Sequence, residues 1–473
     1  MRIAFLFAPY RHKAFEENVT VVDDEFGVFP PINLAYAAAI AEGAGHEVML
    51  LDANALRLDA AQAGRRIGAF RPDLIACYLS TYMVRDTLAF VREVRREVFA
   101  PVLAGGINLL LYPRESMVHA VVDYGLAGHT VHTLPRLLAA IAAGEKPRGI
   151  PGACYRDGQQ IVCEPPEPTV DFSEFPFPAR HLLPNDRYYS FISQRKPFTI
   201  MVTALGCPWA CTFCAIAELP HSMRRPEQVL EEIDTFVGNL GIREIDIFDA
   251  DFPSDRERAA AICDGLLRRG YDLEWSCRSR IASVDPQLLS MMSRAGLRQI
   301  YYGIESSDPA ALERMHKGLS IEWVRPTLEA TRAVGVRPLG FFMTGVPGET
   351  RASLLRTVRY ARGLGLDFAQ FSRTIAKPGT ALYREQVRLT GEDYWRDWVR
   401  GAAPERRMGS HWTELSEAEI EIWTKLAYYG FYLRPEMILR ALLRMRSSEE
   451  ASRSAVVAAK MLASILELDR HRG

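Results

Sequence analysis

Residues 203–217 read TALGCPWACTFCAIA and space Cys207, Cys211 and Cys214 as C-x3-C-x2-C. The chain has eight cysteines in 473 residues, so three in one short stretch call for a chemical reason. Buried core thiols are one reading, but Gly206 and Pro208 mark a loop rather than a segment patterned for burial. Structural zinc needs a fourth ligand, usually from a second cysteine pair or from histidines. The closest downstream candidate is His221, and no second cysteine pair follows. A disulfide would leave one thiol over and would suit an oxidising compartment that nothing else indicates. An iron–sulfur cluster ordinarily takes four thiolates. Three thiolates leave one iron of a 4Fe–4S cluster open, and an open site means chemistry rather than electron storage alone.

The elements that must position this loop read as an α/β chain. Residues 1–145 alternate apolar runs with helical patterns: RIAFLFAP, EVMLLDA, LIACYLS, PVLAGGI and VVDYGLAG are strand-like. Five such strands predict a doubly wound, flavodoxin-like domain whose ligands lie beyond the strands' carboxyl ends. Residues 146–197 are rich in Pro and Gly, with a hairpin-like piece around RDGQQ, and read as a structured linker. Over residues 198–390 the alternation resumes with FTIMVTA, EIDIFD, DLEWSCR, QIYYGIE, RPLGFFMTG and DFAQFSRT. Six strand–helix units are too few for a closed eight-fold barrel and predict a partial (β/α)6 barrel, with the cysteines directly after its first strand. Residues 391–473 are helical in pattern, with aromatics and arginines in AYYGFYLRPEMILRALLRMR. Two uses suit that stretch: a cap on the open barrel, or a docking surface for an apolar substrate or a membrane edge.

Composition bounds the possibilities. With 48% hydrophobic and 24% charged residues, the chain has the make-up of a soluble globular protein. Its 57 basic and 58 acidic side chains leave a net charge of −1, with no global pull toward nucleic acid or an anionic membrane. MRIAFLFAPYRH lacks the length and cleavage site of a signal peptide, and no run of about 18 apolar residues predicts a spanning helix. Cys77, Cys154, Cys163, Cys263 and Cys277 are scattered and read as buried free thiols. The expected location is the cytoplasm.

The cysteine motif, with Phe213 just before its third member and a partial barrel around it, resembles the radical S-adenosylmethionine superfamily. The resemblance implies that the open iron chelates S-adenosylmethionine and that electron transfer releases a 5′-deoxyadenosyl radical. It also implies further contacts at strand ends. Asp249 and Asp251 in DIFDADF fall where the methionine amine is held, and Arg278 or Arg280 could face its carboxylate. Glu305 and Ser306 in YYGIESSD fall at the ribose position, and Gly345 and Gly348 in FFMTGVPGET at the approach to adenine. Helix caps and turns are the structural alternative at several of these positions.

The N-terminal module resembles the cobalamin-binding domain of cobalamin-dependent radical enzymes. Gly105 and Gly106 would let the cofactor approach the backbone, and Ser80, Thr81 and Tyr82 would meet the lower face of the corrin. The chain lacks the Asp-x-His-x-x-Gly motif whose histidine ligates cobalt, so cobalamin is expected to bind without a histidine ligand. His129 and His132 stand where relatives often carry acidic residues and read as polar loop residues.

The resemblance implies a cobalamin-dependent enzyme that methylates an unactivated carbon of a small-molecule or lipid-like substrate. It would use a 4Fe–4S cluster, S-adenosylmethionine, cobalamin and an electron donor such as flavodoxin or ferredoxin. The alternatives are oxidative cyclisation of a tetrapyrrole or another radical modification, as in the anaerobic magnesium-protoporphyrin ester cyclase group. A cobalamin or redox sensor is a third class, but it would need neither the three cysteines nor the Glu305 segment. Methylthiotransferases acting on transfer RNA need further cluster cysteines and an RNA-binding domain, which the sequence does not offer.

Overall fold

The computed structural model describes residues 1–9, 27–128, 130–169, 171–402 and 409–444. His129 therefore lies outside the described residues. The first sheet orders its strands Glu47–Asp52, Arg2–Phe7, Leu74–Tyr78, Val102–Gly105 and Tyr124–Leu126, all parallel. In chain order this is the 2-1-3-4-5 arrangement of a flavodoxin-like domain. Its strands are near-continuous apolar runs because helices cover both faces. Ile3, Phe5, Leu74 and Ala76 pack on one side, while Ala4, Leu6, Ile75 and Cys77 pack on the other.

The sheet runs past the boundary expected at residue 145. Ala153–Asp157 pairs antiparallel with Tyr124–Leu126, and Gln160–Cys163 pairs antiparallel with Ala153–Asp157. The hairpin drawn into the linker is thus the sheet's outer edge. Gln160–Cys163 is joined by a two-residue turn and adds to the edge without a crossover helix, so helix–strand alternation gives no sign of it.

The second sheet has six parallel strands in sequence order: Phe198–Met201, Glu244–Ile247, Glu274–Ser279, Leu297–Glu305, Arg337–Thr344 and Phe368–Arg373. These are the six strands expected from the apolar runs, and they form a half-barrel. Ile245, Ile247, Trp275, Cys277, Ile300, Tyr302, Phe342 and Phe371 pack outward into the core beneath the helices. The alternate residues Asp246, Ser276, Arg278, Tyr301 and Phe341 therefore face the inside.

The two domains share packing. Phe198 and Ile200 of the half-barrel belong to the same core as Tyr36, Phe172 and Tyr188. The chain after Arg373 returns to the first domain: Ala376, Tyr383, Trp395, Trp398 and Val399 pack with Leu79, Val84 and Leu88. In the helix Glu417–Tyr432, Ala427, Tyr428 and Phe431 pack on the half-barrel core, as expected of a cap. Ile422 and Leu426 of that helix, Leu433 just after it, and Ile438 and Leu439 of the helix Pro435–Arg444 remain exposed. No helix among the described residues is long and apolar enough to cross a membrane.

Candidate cluster and cofactor site

The cysteine loop is held at both ends before any ligand is considered. Ala204–Leu205 and Ser222–Met223 pair antiparallel and close the loop into a ribbon. Gly206 takes φ +68, and a Cβ there would lie 2.3 Å from the Pro220 carbonyl oxygen, so only glycine fits this turn. Thr212 N–H donates to Met315 O (3.0 Å), and Leu382 N–H donates to Thr212 O (2.9 Å). Cys211 is buried, while Cys207 and Cys214 are half-buried. The Cys207 thiol is pushed up by burial and further by the neighbouring Cys214, Asp251 and Cys211. The three thiols are therefore close enough to feel one another. Phe213 does not join them; it packs against the cluster of Ala311, Leu312, Met315 and Val346.

Asp249 and Asp251 end the second barrel strand and brace this loop. Asp249 is fully buried and accepts from Thr203 N (2.6 Å), Ala204 N (3.0 Å) and the Thr203 hydroxyl. Burial raises its carboxyl above the ordinary range, and the nearby Arg258 guanidinium opposes that. Arg258 in turn donates to Thr203 O (2.9 Å). Asp251 accepts from the Trp209 indole N–H (2.8 Å), Arg280 N (3.1 Å) and the Ser283 hydroxyl (2.7 Å). Both carboxylates were expected to face the methionine amine, but in the structure their hydrogen bonds go to the protein. Asp249 fixes the start of the cysteine loop, and Asp251 holds Trp209 between its first two cysteines.

The two arginines separate by depth. Arg278 lies inside the half-barrel, paired with Asp246 (Nη2–Oδ2 3.0 Å) and flanked by the Phe248 and Tyr301 rings at 3.8 and 4.8 Å. It is an internal ion pair rather than a group at the mouth. Arg280 is one pleat nearer the mouth, with Nη1 3.6 Å from Cys211 Sγ and its guanidinium 4.4 Å from the Trp209 ring centroid. It also donates to Lys317 O.

Glu305 sits at the end of its strand with φ +66, a left-handed conformation costly for a residue with a Cβ. This turn folds the carboxylate back over Gly303, where a Cβ would meet Glu305 Oε1 and Lys317 Nζ at 2.6 Å each. Lys317 Nζ donates to Glu305 Oε1 at 2.8 Å, with both side chains more than nine-tenths buried. Nothing in the cysteine spacing or the strand pattern signalled Lys317. Ser306 is fully buried, close to Thr357 (3.3 Å), and its hydroxyl accepts from Asp308 N (3.1 Å). It stabilises the turn into the next helix.

Gly345 and Gly348 take φ +72 and +73. A Cβ would meet Ile420 at Gly345 and Arg314 at Gly348, so both serve the turn itself. Glu349 closes that turn, accepting from Gly345 N at 2.5 Å. Burial pushes its carboxyl up to about 8, and Oε1 has no partner among the described residues.

In the first domain, Gly106 takes φ +109 with Leu79 O and the Tyr78 ring 2.7 Å from where a Cβ would stand. Gly105 is open on that side, its nearest neighbour Leu126 O at 4.0 Å. Ser80 Oγ accepts from Met83 N (3.3 Å). Thr81 O accepts from the Trp398 indole N–H (3.0 Å), and the Tyr82 ring meets Trp395 edge-on at 5.0 Å. The loop expected to meet the corrin is thus tied down by the helix Tyr394–Arg400. His132 pairs with Glu174 at 2.6 Å.

Two family descriptions match the chain: "Radical SAM superfamily" over residues 201–361 and "B12 binding domain" over residues 19–138. The chain carries a B12-binding domain followed by a radical SAM domain. It is 29% identical over 422 residues to an uncharacterized methyltransferase of Pyrococcus horikoshii, covering 87% of this chain and 89% of that one. It is 25% identical over 372 residues to the anaerobic magnesium-protoporphyrin IX monomethyl ester cyclase of Rubrivivax gelatinosus, covering 76% of this chain and 66% of the cyclase. Its fold is similar to that of the radical S-adenosylmethionine methyltransferase TsrM of Kitasatospora setae, with a TM-score of 0.66. That match has 20% identity and covers 82% of this chain and 75% of TsrM.

The cofactors of this radical SAM enzyme are a 4Fe–4S cluster, S-adenosylmethionine and cobalamin, and its residues fit them. Among the described residues no three His, Cys, Asp or Glu side chains converge on a single ion. A cubane makes no such demand, because each thiolate binds its own iron. Gathered thiols on one braced loop, with a guanidinium beside Cys211, suit a group that stabilises thiolates. In the first domain, the open side of Gly105 and the buried Thr81 Oγ1 and Asn108 Oδ1, unpartnered among the described residues, suit a large polar-edged ligand at the strand ends.

Proposed function

We propose that this enzyme methylates an unactivated carbon of a small-molecule or lipid-like substrate held between its two domains. One observation supports this most: the segment after Arg373 ties the two cofactor loops together. Leu382 donates to Thr212 in the cysteine loop, and Trp398 donates to Thr81 in the cobalamin-side loop. The Trp395 indole N–H donates to Ala376 O (2.9 Å), and Tyr383 and Tyr112 hydroxyls both donate to Asp393 (2.8 and 3.1 Å), which locks the strap. A reaction needing two cofactors at one substrate requires such a fixed spacing. When bound, the cluster with S-adenosylmethionine supplies a hydrogen-abstracting radical and cobalamin supplies the methyl group, as the non-nucleophilic carbon demands.

The protein's own part is to orient and to exclude water. Cys207, Cys211 and Cys214 would hold the cluster, Asp249 and Asp251 fix their loop, and Glu305 would accept from the ribose hydroxyls. Phe248, Tyr301 and Phe341 line the interior, with Tyr301 and Phe341 stacked at 5.7 Å, and favour an apolar or planar substrate. A flavodoxin or ferredoxin is the proposed electron donor. The likeness to the cyclase of Rubrivivax gelatinosus supports a second reading, oxidative ring closure without methyl transfer.

The test is anaerobic reconstitution with cobalamin and S-adenosylmethionine carrying a deuterated methyl group, in the presence of small-molecule and lipid extracts. Methyl transfer yields 5′-deoxyadenosine, S-adenosylhomocysteine and a product carrying the label. Deoxyadenosine with an unlabelled, oxidised product would favour ring closure instead.

Arg280 is the proposed tuning group for the cluster. Hydrogen bonds and charge near cluster sulfurs raise the reduction potential. Arg280→Met is expected to keep the iron content and move the potential to more negative values in a redox titration followed by paramagnetic resonance. An unchanged potential would reduce the Cys211 contact to packing.

A further inference from the structure

The sequence pattern treats Cys154 and Cys163 as unrelated thiols, but the hairpin places them face to face. Asp157 pairs with Gln160 across a two-residue turn, with Gly158 at φ +62 in the first central position. Pairing then runs outward as Arg156 with Ile161, Tyr155 with Val162 and Cys154 with Cys163. The pair that closes a two-residue turn is hydrogen-bonded, and the two kinds of pair alternate outward. Cys154 and Cys163 therefore form a non-hydrogen-bonded pair, as the next step confirms: Glu164 N–H donates to Ala153 O at 2.9 Å. Non-hydrogen-bonded partners bring their Cα atoms to about 4.5 Å. That lies within the Cα separation of about 4.4–6.8 Å that a disulfide spans.

The two thiols differ in exposure. Cys154 is fully buried, against Gly125, Leu109 and Met117, while Cys163 is half-buried and reachable. The Cys163 thiol is lowered by a hydrogen bond from Cys154 and by the Arg114 guanidinium, whose Nη1 donates at 2.9 Å to Ile161 O, two residues before Cys163. Its partner Cys154 is raised by the same contact and by burial.

We propose that Cys154 and Cys163 form a cross-strand dithiol site that a small-molecule disulfide oxidises to an internal disulfide. Cys163 thiolate attacks one sulfur of the small disulfide, and the other sulfur leaves as a thiolate that takes up a proton. Cys154 then loses its proton and attacks the Cys163 sulfur, expelling the second small thiol. The balance is two protein thiols and one small disulfide giving one protein disulfide and two small thiols. The product pins the outer hairpin of the cobalamin-side sheet.

Trypsin cleaves after Arg156, between the two cysteines, so the bond is directly readable. The reconstituted enzyme is treated anaerobically with oxidised glutathione, alkylated under denaturing conditions and digested without reductant. Peptides 149–156 and 157–180 are expected as one linked species, lighter than their sum by two hydrogen atoms and separated by reductant. Cys154→Ser should instead retain glutathione on Cys163, and the milder surface change Cys163→Ser should leave Cys154 unmodified. Both cysteines alkylated after oxidant treatment, or glutathione persisting on Cys163 of the unaltered enzyme, would overturn the proposal.

Discussion

Cys211→Ala abolishes 5′-deoxyadenosine formation from S-adenosylmethionine and lowers bound iron after reconstitution; this is the largest single effect expected. Cys211 is the most deeply placed of the three loop thiols, and its sulfur faces the Arg280 guanidinium. Removing it takes away one of three thiolates from a cluster that has no spare ligand, and leaves a buried cation facing a gap. The loop itself should survive, since its closure rests on Asp249, Asp251 and backbone bonds that the substitution does not touch. Cys263→Ala is the control. That thiol lies in the core behind the half-barrel, where burial pushes it up to about 12, and it should leave the iron content near that of the unaltered enzyme. Full deoxyadenosine formation by Cys211→Ala would sink the cluster assignment.

Much of this architecture was legible because it is written in periodicity. Each parallel strand is a short apolar run, and each is followed by a helix-period segment of sufficient length to cross back. The cysteine motif was legible because its spacing is local. Contacts set by tertiary depth were not. Arg278 and Arg280 share a strand face in sequence, yet one pleat of about 7 Å puts the first against Asp246 and the second against Cys211. Asp249 and Asp251 announced themselves as acceptors at the right strand end, but the sequence carries no sign that Thr203 and Trp209 meet them first. The strap from Thr374 to Arg400 reads as the end of the barrel and the start of a helical region. Its docking on the first domain depends on Trp395 and Trp398 meeting a loop some 300 residues earlier. The Cys154–Cys163 pairing was within reach, because a turn centred on Gly158 and Gln159 sets those two positions equally far from it.

Lys317→Met is expected to weaken folding by about 3–5 kcal/mol, the usual cost of leaving one partner of a buried ion pair uncompensated. Glu305 would keep its carboxylate in a site with its side chain only 9% exposed, already in a left-handed backbone conformation. Against a total stability of about 5–15 kcal/mol, that loss should appear as a clear fall in the urea midpoint of the reconstituted enzyme. The double variant Glu305→Gln with Lys317→Met removes both charges and should recover much of the stability, because a neutral pair has no ion to strand. Affinity for S-adenosylmethionine then separates the two roles of Glu305. If its carboxylate also holds the ribose hydroxyls, the double variant stays weak in binding while it regains stability. A lost charge-assisted hydrogen bond of about 1.5–3 kcal/mol corresponds to a roughly ten- to hundredfold weaker dissociation constant. Affinity restored together with stability would confine Glu305 to holding Lys317 and, through the Lys317 backbone carbonyl, Arg280 in place beside the cysteine loop. An unchanged urea midpoint in Lys317→Met would overturn the buried pair itself.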